Sequence, residues 1–318
     1  MTISEIDELQ HLPSDDWLWR ESLHFSFHDV SGKLGGLATI GVLPNQKRVE
    51  GFAAIFPSAP SILLYRTEDP TEGKTGLFSV RGIGYDMLAP LQRWHLVVNA
   101  DFSQVEPEQL ISGTQVPEAK VPAGFDLTFD ARSPAYQFPV LSWGLPKVAA
   151  QRFEQTGRMK GTVFIGGKTF PVNGLGFRDH FWGSRDWPGL SEVVAVHAQF
   201  SSRLTVNAVW GIEQGQRTAA GYVSRDGVNI PIRDVEVDIE VDPLSSFPRA
   251  ARAEVTMADG GRLRLHAVPR SVLPLLLRQG EGELHGYECS TCFDDGRQIG
   301  YGTMEVTRLM RGAQDSGD

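Results

Sequence analysis

Apolar and polar residues alternate along most of the chain, and a period of two is typical of β-strands. Residues 23–28 interleave Leu, Phe and Phe with His, Ser and His, and residues 234–241 place three valines and an isoleucine opposite four acids. Comparable short runs recur at 37–43, 49–56, 62–66, 77–80, 92–102, 124–132, 161–165, 168–172, 192–200, 203–212, 219–224, 262–268, 284–293 and 297–309. We therefore predict an all-β protein with mostly antiparallel strands and little helix.

The alternation stops around residues 142–155, where Pro146 precedes a run that could form a brief helix. This break divides the predicted strands into two β-barrel or sandwich domains, residues 1–145 and residues 146–310. Residues 311–318 carry no strand pattern, and we expect a disordered tail there.

The composition is that of a globular protein, with 41% hydrophobic and 22% charged residues among 318. A formal net charge of −9 without a basic cluster argues against nucleic acid or an anionic membrane as the main partner. The longest apolar run, residues 272–277, is too short to cross a bilayer, and the acidic start is unlike a secretory signal. We expect a cytoplasmic protein with no integral membrane segment, and the sequence leaves its oligomeric state open.

Signatures of metal and cofactor sites are incomplete. Cys289 and Cys292 form a lone Cys-x-x-Cys without a second ligand pair, and His24 and His28 share one strand face without a third ligand. The acidic row within 234–241 could hold calcium but is more typical of a solvated strand edge. No phosphate-binding loop, dinucleotide fingerprint or nucleophile elbow occurs. We expect no bound metal and no cofactor.

Residues 174–187 concentrate the chemistry of the chain, with two carboxylates, two arginines, one histidine and two tryptophans. Glycines at three positions of this segment indicate sharp bends or close approach of another chain segment. If the segment is extended, one face carries Arg178, His180 and Trp182 and the other carries Phe177, Asp179 and Phe181. The first face suits a pocket wall, although Arg–Asp pairs and tryptophans can also close the end of a barrel.

The Asp-His-Phe-Trp-Gly string at 179–183 resembles a motif of the lipocalin-like superfamily that contains the bacterial carotenoid hydratases of the hydroxyneurosporene synthase type. The supporting pieces are residues 152–155 with glycines at 157 and 161, and residues 300–302 with Glu305. The resemblance is best over 150–310, and there the chain looks most like an uncharacterised bacterial branch. It implies two lipocalin-like β-barrel halves, a mostly apolar cavity lined by the His and Trp of the motif, and no organic cofactor.

The resemblance also implies a proton-donating Asp beside a Tyr on a strand that follows the motif. The corresponding residues here, 204–210, contain neither an acid nor a tyrosine. Any acid must therefore come from elsewhere in the chain, and Glu154 is the reserve proton donor.

Roles within the motif strand follow from side-chain chemistry. His180 would act as acid or base, Arg178 would hold a polar group of the substrate, and Trp182 would pack against its apolar body. Asp179 would orient His180 or pair with one of the two arginines. The remaining candidate substrate contacts are Phe177, Arg185 and Trp187.

Acids, a histidine and an arginine within aromatic walls suit proton transfer to or from an apolar molecule, because dry walls keep a carboxylic acid protonated near neutral pH. We therefore predict a cofactor-independent hydratase or dehydratase, isomerase or cyclase that acts on a lipophilic molecule such as a terpenoid, steroid or polyketide. The first alternative is a non-catalytic carrier, whose tryptophans only bury a lipophilic ligand, and the second is a structural protein with a filled core.

Overall fold

The protein, described by a computed structural model, is almost entirely β-structure. The structure describes residues 3–58, 61–71, 78–111, 120–138, 151–184, 190–201, 203–213, 216–279 and 282–310. Strands make up 74% and helices 5%, and both sheets are antiparallel, which confirms the predicted all-β fold. The helical pieces in these ranges are two 3-10 turns, Glu5–Glu8 and Pro44–Gln46, and the helix α1, Pro107–Ile111. None of the described helices is long and apolar enough to cross a membrane.

The first sheet contains eleven strands within the described ranges: β1 (Trp19–Asp29), β2 (Gly35–Leu43), β3 (Arg48–Phe56), β4 (Ile62–Pro70), β5 (Ser79–Val80), β6 (Ile83–Ala89), β7 (Arg93–Val105), β8 (Lys120–Ala131), β9 (Tyr136–Gln137), β10 (Gln151–Ile165) and β11 (Lys168–Ser184). Its order is β4-β3-β2-β1-β11-β10-β8-β7-β6-β5, and β9 pairs with β10. Because β4 also pairs with β7, eight of these strands form a continuous hydrogen-bonded ring, called the first ring below.

The second sheet follows in simple chain order and closes on itself. Its strands are β12 (Leu190–Gln199), β13 (Leu204–Glu213), β14 (Gln216–Arg225), β15 (Val228–Val241), β16 (Pro248–Met257), β17 (Arg262–Gln279), β18 (Gly282–Asp294) and β19 (Ile299–Met310). The pairing of β12 with β19 completes a closed barrel, called the second barrel below. The alternating acidic segment 234–241 lies within β15, as the pattern predicts.

The change from one sheet to the other lies after β11, and it does not coincide with the predicted boundary at 145/146. Strand β10 pairs with β8 and β11, and β11 returns to pair with β1, so both belong to the first sheet. The break in the sequence pattern near 145 therefore separates two strands of one sheet. The part of the proposed helix from Gln151 onward is strand. Residues 146–150 and the predicted tail at 311–318 lie outside the described residues.

The two halves pack through the outer faces of their strands, and each half keeps a hydrophobic core of its own. Phe177 of β11 stacks on His197 of β12 with ring centroids 3.8 Å apart. Tyr136 of β9 stacks on Tyr222 of β14 at 4.5 Å. These contacts form a layer between the two sheets and bury part of the outer face of each sheet, which would otherwise be exposed to solvent.

Candidate functional site

The motif strand β11 presents different chemistry on its two faces. Neighbouring side chains along a strand point to opposite faces. Arg178 and His180 accordingly contact Phe153 inside the first ring. Phe177 points outward to the second barrel, and so does Asp179. The residues that the sequence suggests as one site are therefore divided between the inside and the outside of the first ring.

Arg178 is fully buried inside the first ring beside a carboxylate from the N-terminal turn. Its Nη2 donates to Glu8 Oε1 at 2.5 Å, and its Nε donates to Gln155 Oε1 at 2.9 Å. Trp94 Nε1 donates to the second carboxylate oxygen of Glu8 at 3.0 Å. The rings of Trp94 and Phe153 lie 5.7 and 5.1 Å from the guanidinium carbon. Burial lowers the pKa of Arg178, and the carboxylate of Glu8 opposes that change.

His180 is also fully buried, and Glu21 holds its ring. His180 Nε2 and His11 Nδ1 lie 2.8 and 2.9 Å from the same Glu21 oxygen, and the ring of His11 stacks on Trp182. Burial raises the pKa of Glu21, but the hydrogen bonds with both histidines outweigh it and lower the pKa overall. One ligand atom from each of the three residues lies within 4.8 Å of the others. The trio suits a metal poorly, because His180 Nδ1 has no acceptor among the described residues to orient the ring.

On the outer face, Glu154 and Asp179 are cross-strand neighbours that share one arginine. Arg152 Nη2 lies 2.6 Å from Glu154 Oε1 and 2.8 Å from Asp179 Oδ2. The side chain of Glu154 is 0% exposed. Burial raises the pKa of Glu154 to about 7, although Arg152 and His197 act in the opposite direction. A carboxyl group with this pKa can either give or take a proton at neutral pH.

His197 faces this carboxyl group from the second barrel. Its Nδ1 lies 3.2 Å from Asn207 Oδ1, and its Nε2 lies 3.6 Å from Glu305 Oε1. Burial lowers the pKa of His197, but the contact with Glu305 and the charge of Glu154 outweigh it and raise the pKa. Partial burial raises the pKa of Glu305, whose side chain is 40% exposed, but His197 together with the charges of His24 and Arg152 outweighs it and brings the pKa to about 2. Glu288 lies opposite Glu305 on the next strand, and burial together with that negative charge raises its pKa.

Several buried polar atoms in this layer have no hydrogen-bond partner within the described part of the chain. They are Glu154 Oε2, Asp179 Oδ1, Asn207 Nδ2, the Tyr222 hydroxyl, Glu288 Oε1 and Thr303 Oγ1. Buried polar groups in proteins are almost always paired, so atoms of this kind gathered in one layer indicate a place for water or a ligand. The acid–base cluster below means Arg152, Glu154, Asp179, His197, Tyr222 and Glu305.

An apolar wall packs beside the acid–base cluster, and a cavity lies farther along the same strands. The wall consists of Phe138, Ala195, Val209 and Ala220 with Tyr136 packed against them. A cavity of about 310 Å³ lies in the same layer and is lined from both halves, by residues that include Leu175 and Tyr301. Each of these two lies four residues before a member of the cluster on its own strand, which corresponds to about 13 Å. The cavity is large enough for a small molecule, and it lies on the same two strands as these cluster members.

Some residues of this layer are predictable from the sequence, and others are not. Phe177, a candidate substrate contact, packs on His197, whereas Arg185 and Trp187 lie outside the described residues. His197 and Tyr222 did not emerge as candidates. The available signal was that each interrupts an apolar strand at a position that faces away from the core of the second barrel.

The chain belongs to the DUF7064 family, a domain of unknown function, whose profile matches residues 4–310. None of the curated proteins compared with the chain matches it in sequence.

Solved structures share the fold over nearly the whole chain. A Nitrosomonas europaea protein provisionally called AttH is 15% identical with a TM-score of 0.63, and the match covers 92% of this chain and 94% of that one. Kievitone hydratase from Nectria haematococca is 12% identical with a TM-score of 0.58, covering 96% and 93%. CghA with Sch210972 is 11% identical with a TM-score of 0.58, covering 94% and 93%. These similarities confirm the lipocalin-like all-β fold, and the carotenoid hydratase type stays a prediction.

Proposed function

We propose that this DUF7064 protein is an acid–base enzyme that protonates a lipophilic small molecule in the layer between its two sheets. The product would be a hydrated, isomerised or cyclised form of the substrate. The observation that carries the proposal is Glu154, a fully buried carboxyl group whose pKa lies at about 7. General acids work best when their pKa lies near the operating pH.

The neighbours of Glu154 suit both of its protonation states. The protonated form is favoured by burial, and the ionised form left after proton transfer pairs with Arg152 at 2.6 Å. Asp179 holds the same guanidinium at 2.8 Å and so fixes its position. On the opposite side, His197 and Glu305 form a second pair. The pKa of His197 is raised and that of Glu305 is lowered, so this pair can orient water or a polar group of the substrate.

In a hydration, the Glu154 carboxyl proton would form a new C–H bond with one carbon of a double bond. The cation left on the other carbon would be stabilised by nearby carboxylates and aromatic faces. Water would then form the C–O bond, and its extra proton would return to the Glu154 carboxylate. Loss of a proton from a neighbouring carbon to the Glu154 carboxylate would instead give an isomer. Attack by a second double bond would close a ring and leave a new cation, which would lose a proton to the same carboxylate. None of these steps requires an organic cofactor.

The apolar wall and the fold relatives support the lipophilic part of the proposal. The wall of Phe138, Ala195, Val209 and Ala220 offers an apolar surface beside the carboxyl group. One relative of this fold is a kievitone hydratase, and the CghA structure was solved with Sch210972. A terpenoid, steroid or polyketide with a polar group at one end would satisfy both the wall and the acid–base cluster. His180 lies inside the first ring and, in this proposal, has a structural role.

Deuterium incorporation separates an enzyme from a carrier. Candidate terpenoid, steroid and polyketide alkenes are incubated with the protein in D₂O, and their mass increase is measured over time. We expect Glu154→Gln to lower the rate by about 10²–10⁴-fold, the usual contribution of a positioned acid. The matched control is Glu254→Gln, which removes the same charge from a partly exposed residue of the second barrel.

Unchanged deuterium uptake in Glu154→Gln would refute the assignment of Glu154. If ligands bind in this layer and none of them ever exchanges or changes, the protein is a carrier.

A further inference from the structure

A buried ion pair lies inside the first ring, separate from the acid–base cluster and independent of the proposed reaction. Arg178 there has 0% side-chain exposure, and so does its partner Glu8. The two residues are 170 positions apart in the chain. An isolated buried guanidinium is strongly unfavourable, so this position requires an anion.

We propose that the first ring binds the carboxylate of a lipophilic carboxylic acid at Arg178, and that Glu8 occupies this site in place of the ligand. The side chain of Glu8 is a carboxylate on two methylene groups, and it therefore has the same chemical structure as the carboxyl end of a linear carboxylic acid. Its two oxygens are bound separately, one by Arg178 Nη2 at 2.5 Å and the other by Trp94 Nε1 at 3.0 Å. A ligand carboxylate can accept the same two hydrogen bonds.

The guanidinium also has a donor to spare. Arg178 Nη1 is buried and has no hydrogen-bond partner in the described part of the chain, while Gln155 Oε1 accepts from Nε. Arginine binds carboxylates most strongly through two parallel hydrogen bonds, and Glu8 reaches it through Nη2. A ligand that is not tethered to the backbone of the turn can therefore bind Arg178 more completely than Glu8 does.

The walls around Arg178 favour an apolar ligand body. Trp94, Phe129 and Phe153 all lie within 6 Å of the guanidinium carbon. They belong to, or pack beside, the aromatic interior of the first ring. Such surroundings exclude small hydrophilic anions, because those anions would lose their hydration without gaining apolar contacts.

The segment that carries Glu8 is only weakly attached, so a ligand can displace it. Within the turn Glu5–Glu8, Glu8 is buried, whereas Ile6 is 72% exposed. The neighbouring Leu9 is 50% exposed. The next firm contact is His11, which binds Glu21 and stacks on Trp182. Displacing the turn therefore costs mainly the contacts of Glu8, and the ligand tail can leave through the space that the turn vacates.

The test compares octanoate with 1-octanol as probes of the unaltered full-length protein, Glu8→Gln and Glu5→Gln. Glutamine keeps the shape of Glu8 but competes less well for Arg178, because hydrogen bonds between neutral groups are weaker than those with charges. The control Glu5→Gln makes the same charge change at an exposed position of the same turn. Binding is measured by calorimetry, and the indole N–H signal of Trp94, assigned through Trp94→Phe, reports the contact directly.

We expect octanoate to bind Glu8→Gln about tenfold more tightly than the other two proteins and to shift the Trp94 signal in all three. The affinity for 1-octanol should be the same in all three. Equal octanoate affinities, or an equal gain for 1-octanol, would overturn the proposal. If Glu8→Gln does not fold, the test uses the unaltered protein alone. An indole N–H signal of Trp94 that does not shift when octanoate is saturating would then overturn the proposal.

Discussion

Replacing Glu154 by glutamine should change how the stability of the protein depends on pH. Burial raises the pKa of Glu154 from 4.5 to about 7 in the folded protein. The folded state therefore holds this proton more tightly than the unfolded state does. The stabilisation is fully present below pH 4.5 and is lost as the pH rises through about 7.

The size of the effect follows from the pKa difference. At about 1.4 kcal/mol for each pKa unit, the rise in the Glu154 pKa corresponds to a loss of about 3 kcal/mol between weakly acidic and weakly alkaline pH. Glutamine resembles the protonated carboxyl group and cannot ionise. The difference in unfolding free energy between Glu154→Gln and the unaltered protein should therefore move by about 3 kcal/mol in favour of the variant over this range.

Urea unfolding at pH 5, 6, 7 and 8, followed by tryptophan fluorescence, measures the change. Glu254→Gln serves as the control, because its partly exposed carboxylate pairs with surface arginines. Stability curves of Glu154→Gln and the unaltered protein that run parallel from pH 5 to 8 would refute the reasoning. They would mean that Glu154 ionises at an ordinary carboxyl pKa, and the proposed proton donor would then be lost with it.

Two further changes test the layer between the sheets, and a third tests the pairing of β11 with β1. Glu305→Gln should lower the pKa of His197 by removing its partner at 3.6 Å, and an unchanged titration of that histidine by NMR would contradict this. Tyr222→Phe removes a buried hydroxyl without a hydrogen bond in the described residues, so the unfolding free energy of the variant should stay within about 1 kcal/mol of that of the unaltered protein, and a larger loss would contradict this. Gly174→Ala should lower the melting temperature, because an added methyl group would overlap the carbonyl oxygen of His28; an unchanged melting temperature would show that the strands can separate there.

The strands of this protein are predictable because alternation is a local property. The segment 234–241 shows the pattern clearly and lies in β15. Alternation also places Arg178 and His180 on one face of β11, where both contact Phe153. Alternation does not predict which face of β11 lies inside the first ring. That depends on the pairing of β11 with β1, which is more than 140 residues earlier in the chain.

The location of the acid–base cluster is not predictable from local pattern, since it depends on contact between the two halves. His197 and Tyr222 point away from the core of the second barrel, where a polar side chain usually meets water. They are buried because β11 and β9 cover them. Glu8 is harder still to predict, because it is one of several acids in a short acidic segment and its partner lies on β11.

Gly174 and Gly176, which precede the Asp-His-Phe-Trp-Gly motif, explain how β11 can present Arg178 to the first ring and Asp179 to the acid–base cluster. Side chains alternate with a period of two, so a slip of one residue would exchange the inner and outer faces of β11. A side chain at Gly174 would strike the backbone of β1, and one at Gly176 would strike Met159 on β10. Glycine at 174 permits the close approach of the β1 backbone, and this contact disfavours a shifted pairing of β11 with β1. The register that sends Arg178 into the first ring is therefore the same one that sends Asp179 to the acid–base cluster.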